Sequence, residues 1–271
     1  MGKLEGKVAF ITGAARGQGR SHAVRLAEEG ADVIAVDICQ QLQSVGYPMS
    51  TPADLEQTVK EVEALGRGIV ARQADVRDVD ELRNAFDEGV AELGPVGIVV
   101  ANAGIGPGGM ASDEQQWAEV MGVNLTGVWN TGRVAIPSMV KAGQGGAIVL
   151  TSSTGGLTGA PIGVAGMLAY TAAKHGVIGL TRSWANSLAR HFIRVNSVAP
   201  TTVRTPMAGG GNLAAIIEHA PELANALQNA MPVEAVDPID LSNAITWLVS
   251  DEARYVTGTV VPVDAGNVNR R

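Results

Sequence analysis

The chain of 271 residues holds a single cysteine, Cys39. It has no partner for an internal disulfide, and no Cys/His cluster has metal-ligand spacing, so no metal site is expected. Cys39 reads as a reduced bystander in a cytoplasmic protein. Basic runs are also absent. The 20 Lys and Arg are outnumbered by 27 Asp and Glu, leaving a net charge of −7. That balance argues against nucleic acid or anionic membrane as a partner. No apolar run approaches the roughly 20 residues of a membrane span. The opening MGKLEGKVAFITG lacks the apolar core and cleavage pattern of a signal peptide, which again points to the cytoplasm. Aromatics make up only 4% of the chain, so any core must be packed from aliphatic side chains.

What is present suits an α/β protein. Hydrophobic residues reach 46%, and the 34 glycines suit tight turns and close backbone approach to a ligand. Short Val/Ile/Ala runs alternate with amphipathic segments. KVAFIT, ADVIAVD, GIVARQADV, GIVVANAG, GAIVLTSS, IRVNSVAP and GTVVPVDAG read as strands. Helices are expected over 17–29, 55–65, 78–93, 113–139, 168–190 and 238–250, the last capped by Asp237. Near-continuous apolar strands indicate a parallel sheet covered on both faces, and the alternation indicates a doubly wound α/β fold in one domain, 1–271.

Two stretches break the pattern. After the acidic end of the second strand, Asp37, an extended loop covers 38–53, well beyond the roughly 2–6 residues usual for such connections. Further on, 206–232 contains AGGGN followed by LAAIIEHA and PELANALQNA. A Gly-rich hinge before amphipathic pieces predicts a mobile lid over a ligand.

The first strand runs into ITGAARGQGR, which opens a helix. Gly13 permits the tight turn, while Gly17 and Gly19 allow close approach to a diphosphate at the positive helix end. Asp37 lies roughly 20 residues further on, where a carboxylate can accept the adenosine ribose hydroxyls. It would repel a 2′-phosphate, so NAD is expected rather than NADP. Arg16, inside the glycine turn, is the one residue that could instead face a phosphate.

The chain also carries NAG (Asn102, Ala103, Gly104), VNLTGV (Asn124), TSS (Ser152, Ser153) and YTAAK (Tyr170, Lys174). With TGxxxGxG, this ordered set closely resembles the short-chain dehydrogenase/reductase family over essentially the whole chain. The resemblance implies a single-domain Rossmann fold with a seven-stranded parallel sheet. It implies a homotetramer or homodimer paired through the helices of Asn124 and Tyr170. It also implies a catalytic set of Asn124, Ser153, Tyr170 and Lys174, and a cofactor site that takes in Gln18, Asp75, Val76, Asn102, Ala103, Gly104, Pro200, Val203 and Thr205. Where the family usually has Gly after the proline, this chain has Thr201. Tyr170 also lies a few residues later than usual after the serines.

Tyr170 and Lys174, four residues apart on a helix, share a face. A free phenol has a pKa of about 10, and a neighbouring ammonium favours phenolate. Tyr170 would then move the alcohol proton, Ser153 would hold the substrate oxygen, and Lys174 would bind the nicotinamide ribose. Asn124 would hold a water linking Lys174 to solvent.

GAARGQGRSHAVRLAEEGADVIAVDIC and the long loop look most like the actinobacterial carveol-dehydrogenase-type subgroup, which is linked to mycofactocin. That likeness implies a tightly held NAD recycled in place, with mycofactocin as electron acceptor. It implies an apolar secondary alcohol as substrate, with Met167, Leu168, Met207 and the lid segment as the apolar wall. A 3-oxoacyl-thioester reductase and a non-catalytic NAD-binding protein are the competing readings.

Overall fold

The computed structural model describes residues 2–159, 163–209 and 221–270. The seven apolar runs form β1 (Val8–Thr12), β2 (Asp32–Asp37), β3 (Ile69–Gln73), β4 (Ile98–Ala101), β5 (Gly146–Thr151), β6 (Ile193–Pro200) and β7 (Val260–Val263). All pair in parallel, in the order β3-β2-β1-β4-β5-β6-β7. The direction of winding reverses between β1 and β4. In such sheets ligands bind in the crevice at the carboxyl ends of those two strands.

Because side chains alternate along a strand, each strand feeds two cores. Phe10, Ile34, Val99 and Ile148 face one layer, with Phe86 and Val177. Ile11, Val33, Val100 and Val149 face the other, with Leu26 and Ile245. The few aromatics are placed economically: Phe10 and Phe86 meet edge to face at 5.1 Å, a favoured geometry.

The helices are α1 (Gly17–Glu28), α2 (Pro52–Glu63), α3 (Val79–Leu93), α4 (Asp113–Met121), α5 (Val128–Ala142), α6 (Ala165–Leu188), α7 (Pro206–Gly209), α8 (Pro221–Ala226) and α9 (Pro238–Val249). Three differ from expectation. α2 starts at Pro52 rather than at 55, because Thr51 and Asp54 cap each other reciprocally. α6 begins at Ala165 rather than at 168. The single helix expected over 113–139 is divided: a π-wound segment, Gly122–Gly127, joins α4 to α5. A wider turn inserts a residue and rotates the helix beyond it, a device common at functional sites. Here it carries Asn124, which is fully buried.

Asp237 does stand at the start of α9, with its N–H bonded to Asp240 at 2.9 Å. Of the expected lid, α7 and α8 are seen, while most of the glycine hinge and LAAIIEHA lie outside the described residues. No helix among the described residues is long and apolar enough to cross a membrane.

Candidate active site

The glycine turn shapes a cradle after β1. Gly13 has φ +69°, a conformation natural to glycine, and a Cβ on Gly19 would fall 1.9 Å from the Gly13 carbonyl oxygen. The turn opens into a cleft of about 130 Å³ at the reversal point of the sheet. Gly13, Arg16, Gly17, Gln18, Gly19, Asp37, Asp75, Val76, Asn102, Ala103, Gly104 and Thr205 all line it. Pro200 does not; it ends β6. Val203 lines a neighbouring cavity instead.

Local hydrogen bonds brace this cleft. Thr12 Oγ1 accepts from the N–H groups of Asn102 and Ala103, each at 3.2 Å. The Asn102 amide donates back to the carbonyls of Thr12 and Gly13 at 3.1 and 3.3 Å. Gln18 Oε1 is buried without a donor among the described residues. An orphaned acceptor in a glycine-lined cradle fits a dinucleotide that brings its own donors.

Asp37 is buried and already holds three nitrogen or oxygen donors, with the Cys39 thiol 4.0 Å from Oδ1 as a weaker fourth. Oδ2 accepts from Ala15 N–H at 2.9 Å; Oδ1 accepts from Cys39 N–H at 3.1 Å and from the Ser50 hydroxyl at 2.6 Å. A carboxylate has about four acceptor sites. Oδ2 carries one donor, so the carboxylate keeps acceptor capacity toward the cleft it lines.

The loop after Asp37 is ordered by its own polar groups. The Gln41 amide donates to the carbonyls of Leu42, Val45 and Tyr47 at 3.1, 3.1 and 3.3 Å, and its oxygen accepts from Met49 N–H at 2.9 Å. Arg16 donates to the Pro48 carbonyl, so this cation of the glycine turn holds the loop. Ser44 donates through N–H and hydroxyl to Glu119 of α4, at 3.2 and 2.5 Å. Leu42, Val45 and Tyr47 are buried. Ile38, Leu42, Tyr47, Met49 and Ser50 form one wall of the cleft. Nothing in the apolar periodicity marked these contacts. The sequence reading missed Tyr47 as a lining residue and Gln41 and Ser44 as the groups that hold the loop in place.

Beside the cleft lies a cavity of about 210 Å³, lined by Ser153, Tyr170, Met167 and Met207 among others. Ser152 points elsewhere and donates to the Lys174 carbonyl at 2.9 Å. Leu168, expected in the apolar wall, is 49% exposed and lies outside the cavity lining. It follows Met167 on α6, and a single step along a helix turns the side chain about 100° away.

Lys174 is buried, with Nζ 5.7 Å from the Tyr170 ring centre and donating to the Thr151 carbonyl at 2.8 Å. Burial lowers its pKa to about 8. Burial also raises the Tyr170 pKa, against a smaller opposing effect of the Ser153 hydroxyl. In the protein alone, desolvation thus outweighs the one hydrogen bond that favours phenolate. Asn124 exchanges two bonds with Ile105, accepting from its N–H and donating to its carbonyl, both at 2.8 Å. Asn124 Oδ1 and Lys174 Nζ converge on Gly104, where a Cβ would lie 3.3 and 3.5 Å from them. Thr201 avoids the strained backbone region, and its hydroxyl donates to Asn229 at 2.8 Å, tying this loop to the segment after α8.

A cradle at the reversal point, beside a cavity holding a tyrosine and a serine with a buried lysine behind them, is the arrangement of a dinucleotide-dependent dehydrogenase. The short chain dehydrogenase family model matches residues 7–214, and the chain belongs to that family. It is 55% identical over 269 residues to an uncharacterized oxidoreductase of Mycobacterium tuberculosis, covering 99% of this chain and 98% of that one. It is 48% identical over 277 residues to the (-)-trans-carveol dehydrogenase of Rhodococcus erythropolis, covering 98% and 99%. Its structure resembles that of a carveol dehydrogenase from Mycobacterium avium in complex with NAD, with a TM-score of 0.90, 46% identity and full coverage of both chains.

Proposed function

We propose that this dehydrogenase uses NAD to interconvert an apolar secondary alcohol of the carveol type and its ketone. The observation that carries the reading is the shared cavity of Ser153 and Tyr170 against the glycine-turn cleft. The relatives named for carveol dehydrogenase, one of them in complex with NAD, support the substrate class and the cofactor. Asp37 supports NAD over NADP, since a 2′-phosphate would meet its carboxylate.

Gly13, Gly17, Gln18 and Gly19 hold the diphosphate, with Thr205 across the cleft. Asp37 holds the adenosine ribose, Asp75 and Val76 border adenine, and Asn102, Ala103 and Gly104 back the ribose. Pro200 and Val203 serve the nicotinamide end. When bound, NAD supplies the hydride acceptor and a positive ring. Ser153 orients the substrate oxygen, and Tyr170 Oη takes its proton. Lys174 Nζ binds the nicotinamide ribose and favours the phenolate. Asn124 retains one lone pair on Oδ1 for the water of a relay to Lys174.

The loop 38–53, which walls the cleft, supports a tightly held NAD; recycling in place with mycofactocin as electron acceptor rests on the likeness to the carveol-dehydrogenase-type subgroup. The segment 206–232 serves as a lid, anchored through Thr201 to Asn229 and through Asn267 to the carbonyls of Ala226 and Gln228. Trp129, 43% exposed beside Gly176 and Gly179, supports pairing of copies through α5 and α6 into a homodimer or homotetramer.

The competing acyl-thioester reductase reading is weaker. Such reductases usually draw on NADPH, which Asp37 disfavours. A cavity of about 210 Å³ also suits a compact substrate. A purely NAD-binding role leaves the combination of Asn124, Ser153, Tyr170 and Lys174 without purpose.

Turnover of a panel of secondary alcohols with an artificial electron acceptor, with and without added NAD, tests the proposal. Oxidation of cyclic terpenols without added NAD is the expected result. Better turnover with NADP, or of 3-hydroxyacyl thioesters, would replace this reading with its competitor.

A further inference from the structure

The loop after Asp37 does more than border the cleft. It carries Tyr47 across to the neighbouring cavity, so that this one residue lines both spaces. Tyr47 is 5% exposed. Its hydroxyl oxygen accepts from Gly106 N–H at 3.2 Å. Gly106 belongs to the segment after β4 and lies against Met207 of α7; a Cβ placed on it would come within 3.3 Å of Met207 Cγ and 3.9 Å of Tyr47 Cε1. Three segments distant in sequence therefore meet at the Tyr47 ring.

The ring is also held firmly. Its backbone carbonyl is bonded by Gln41, the next carbonyl by Arg16, and its hydroxyl by Gly106. Burial pushes the phenol up to about 12, so it remains neutral and apolar in character at working pH. A rigid aromatic face in a small cavity rejects extra bulk steeply, since one methylene in an apolar pocket changes selectivity by roughly 10–200-fold.

We propose that Tyr47 is a specificity-determining residue of the alcohol cavity. Its ring closes the cavity on the cofactor side and limits how far an alcohol's carbon skeleton can extend there. The inference rests on the alcohol-dehydrogenase reading and assigns the extended loop a second role, as part of the substrate wall. Compact cyclic secondary alcohols fit beside the ring, whereas alcohols with a branch extending toward Tyr47 are excluded.

The test compares wild type, Tyr47→Phe, Tyr47→Leu and Tyr47→Ala, each saturated with NAD and supplied with an artificial electron acceptor, on a compact and a branched cyclic secondary alcohol. NAD affinity is measured separately by titration. The expected ratio of kcat/KM, branched over compact, rises at least about tenfold in Tyr47→Ala, rises less in Tyr47→Leu and stays within about threefold in Tyr47→Phe. The ratio removes any common loss from weaker NAD binding. If Tyr47→Leu and Tyr47→Ala lower both substrates by the same factor, the ring is not a substrate wall and the inference is overturned alone. If the wild type turns over neither alcohol, the alcohol-dehydrogenase reading falls and takes this inference with it.

Discussion

The Ser50 hydroxyl donates to Asp37 Oδ1 at 2.6 Å, so the extended loop ends on the carboxylate from which it starts. The loop is a closed excursion. Its length carries side chains along one wall of the cleft and returns to Asp37, which also lines the cleft.

Asp37→Asn should relax cofactor choice. Two unit charges 4 Å apart interact by about 4 kcal/mol at an effective dielectric of 20. Removing the carboxylate charge should therefore improve NADP affinity relative to NAD by at least about tenfold. Titration of both cofactors against both proteins checks this, and an unchanged ratio would remove Asp37 from cofactor selection.

Glu119→Ala should release the loop without unfolding the domain. It removes the acceptor of two Ser44 donors. Hydrogen exchange of amides in 42–49 should accelerate while exchange in β1 and β5 stays slow. Uniform acceleration would mean that the loop is not an independent unit.

His22 makes stability depend on acid. It is fully buried in α1, with Nδ1 2.8 Å from the Ser242 hydroxyl of α9, and burial lowers its pKa from 6.5 to about 3. The unfolded chain binds a proton below about 6.5 and the folded chain does not until about 3. This contribution is complete above the upper value and is lost as pH falls through that window, by up to tenfold in the folding equilibrium per pH unit. The melting temperature should fall more steeply over that range in the wild type than in His22→Gln. Parallel curves would contradict the assignment.

Much of the fold was legible because its signals are local. The seven apolar runs form the seven strands, and the glycine turn and Asp37 fall at the ends of β1 and β2 in the cleft lining. The π-wound segment was not legible. It adds a residue to a turn without altering the apolar pattern, and shows only through Asn124 and Ile105. The wiring of the loop was hidden for a related reason: Gln41, Ser44 and Tyr47 act through contacts made only after the chain has folded. Arg16 illustrates the limit best. The sequence allowed it to face a phosphate, while the fold offered it the Pro48 carbonyl. Leu168 was misplaced by one position on a helix, where neighbours in sequence face different surroundings.

The central claim is that Tyr170 moves the alcohol proton while NAD accepts hydride. The most direct measurement is a single turnover of the NAD-loaded protein mixed with a cyclic secondary alcohol, monitored by the absorbance of reduced nicotinamide, for wild type and Tyr170→Phe. The account predicts a rise in the wild type and none, or one slowed by orders of magnitude, in Tyr170→Phe, with NAD affinity retained. An equal rise in both proteins would contradict it.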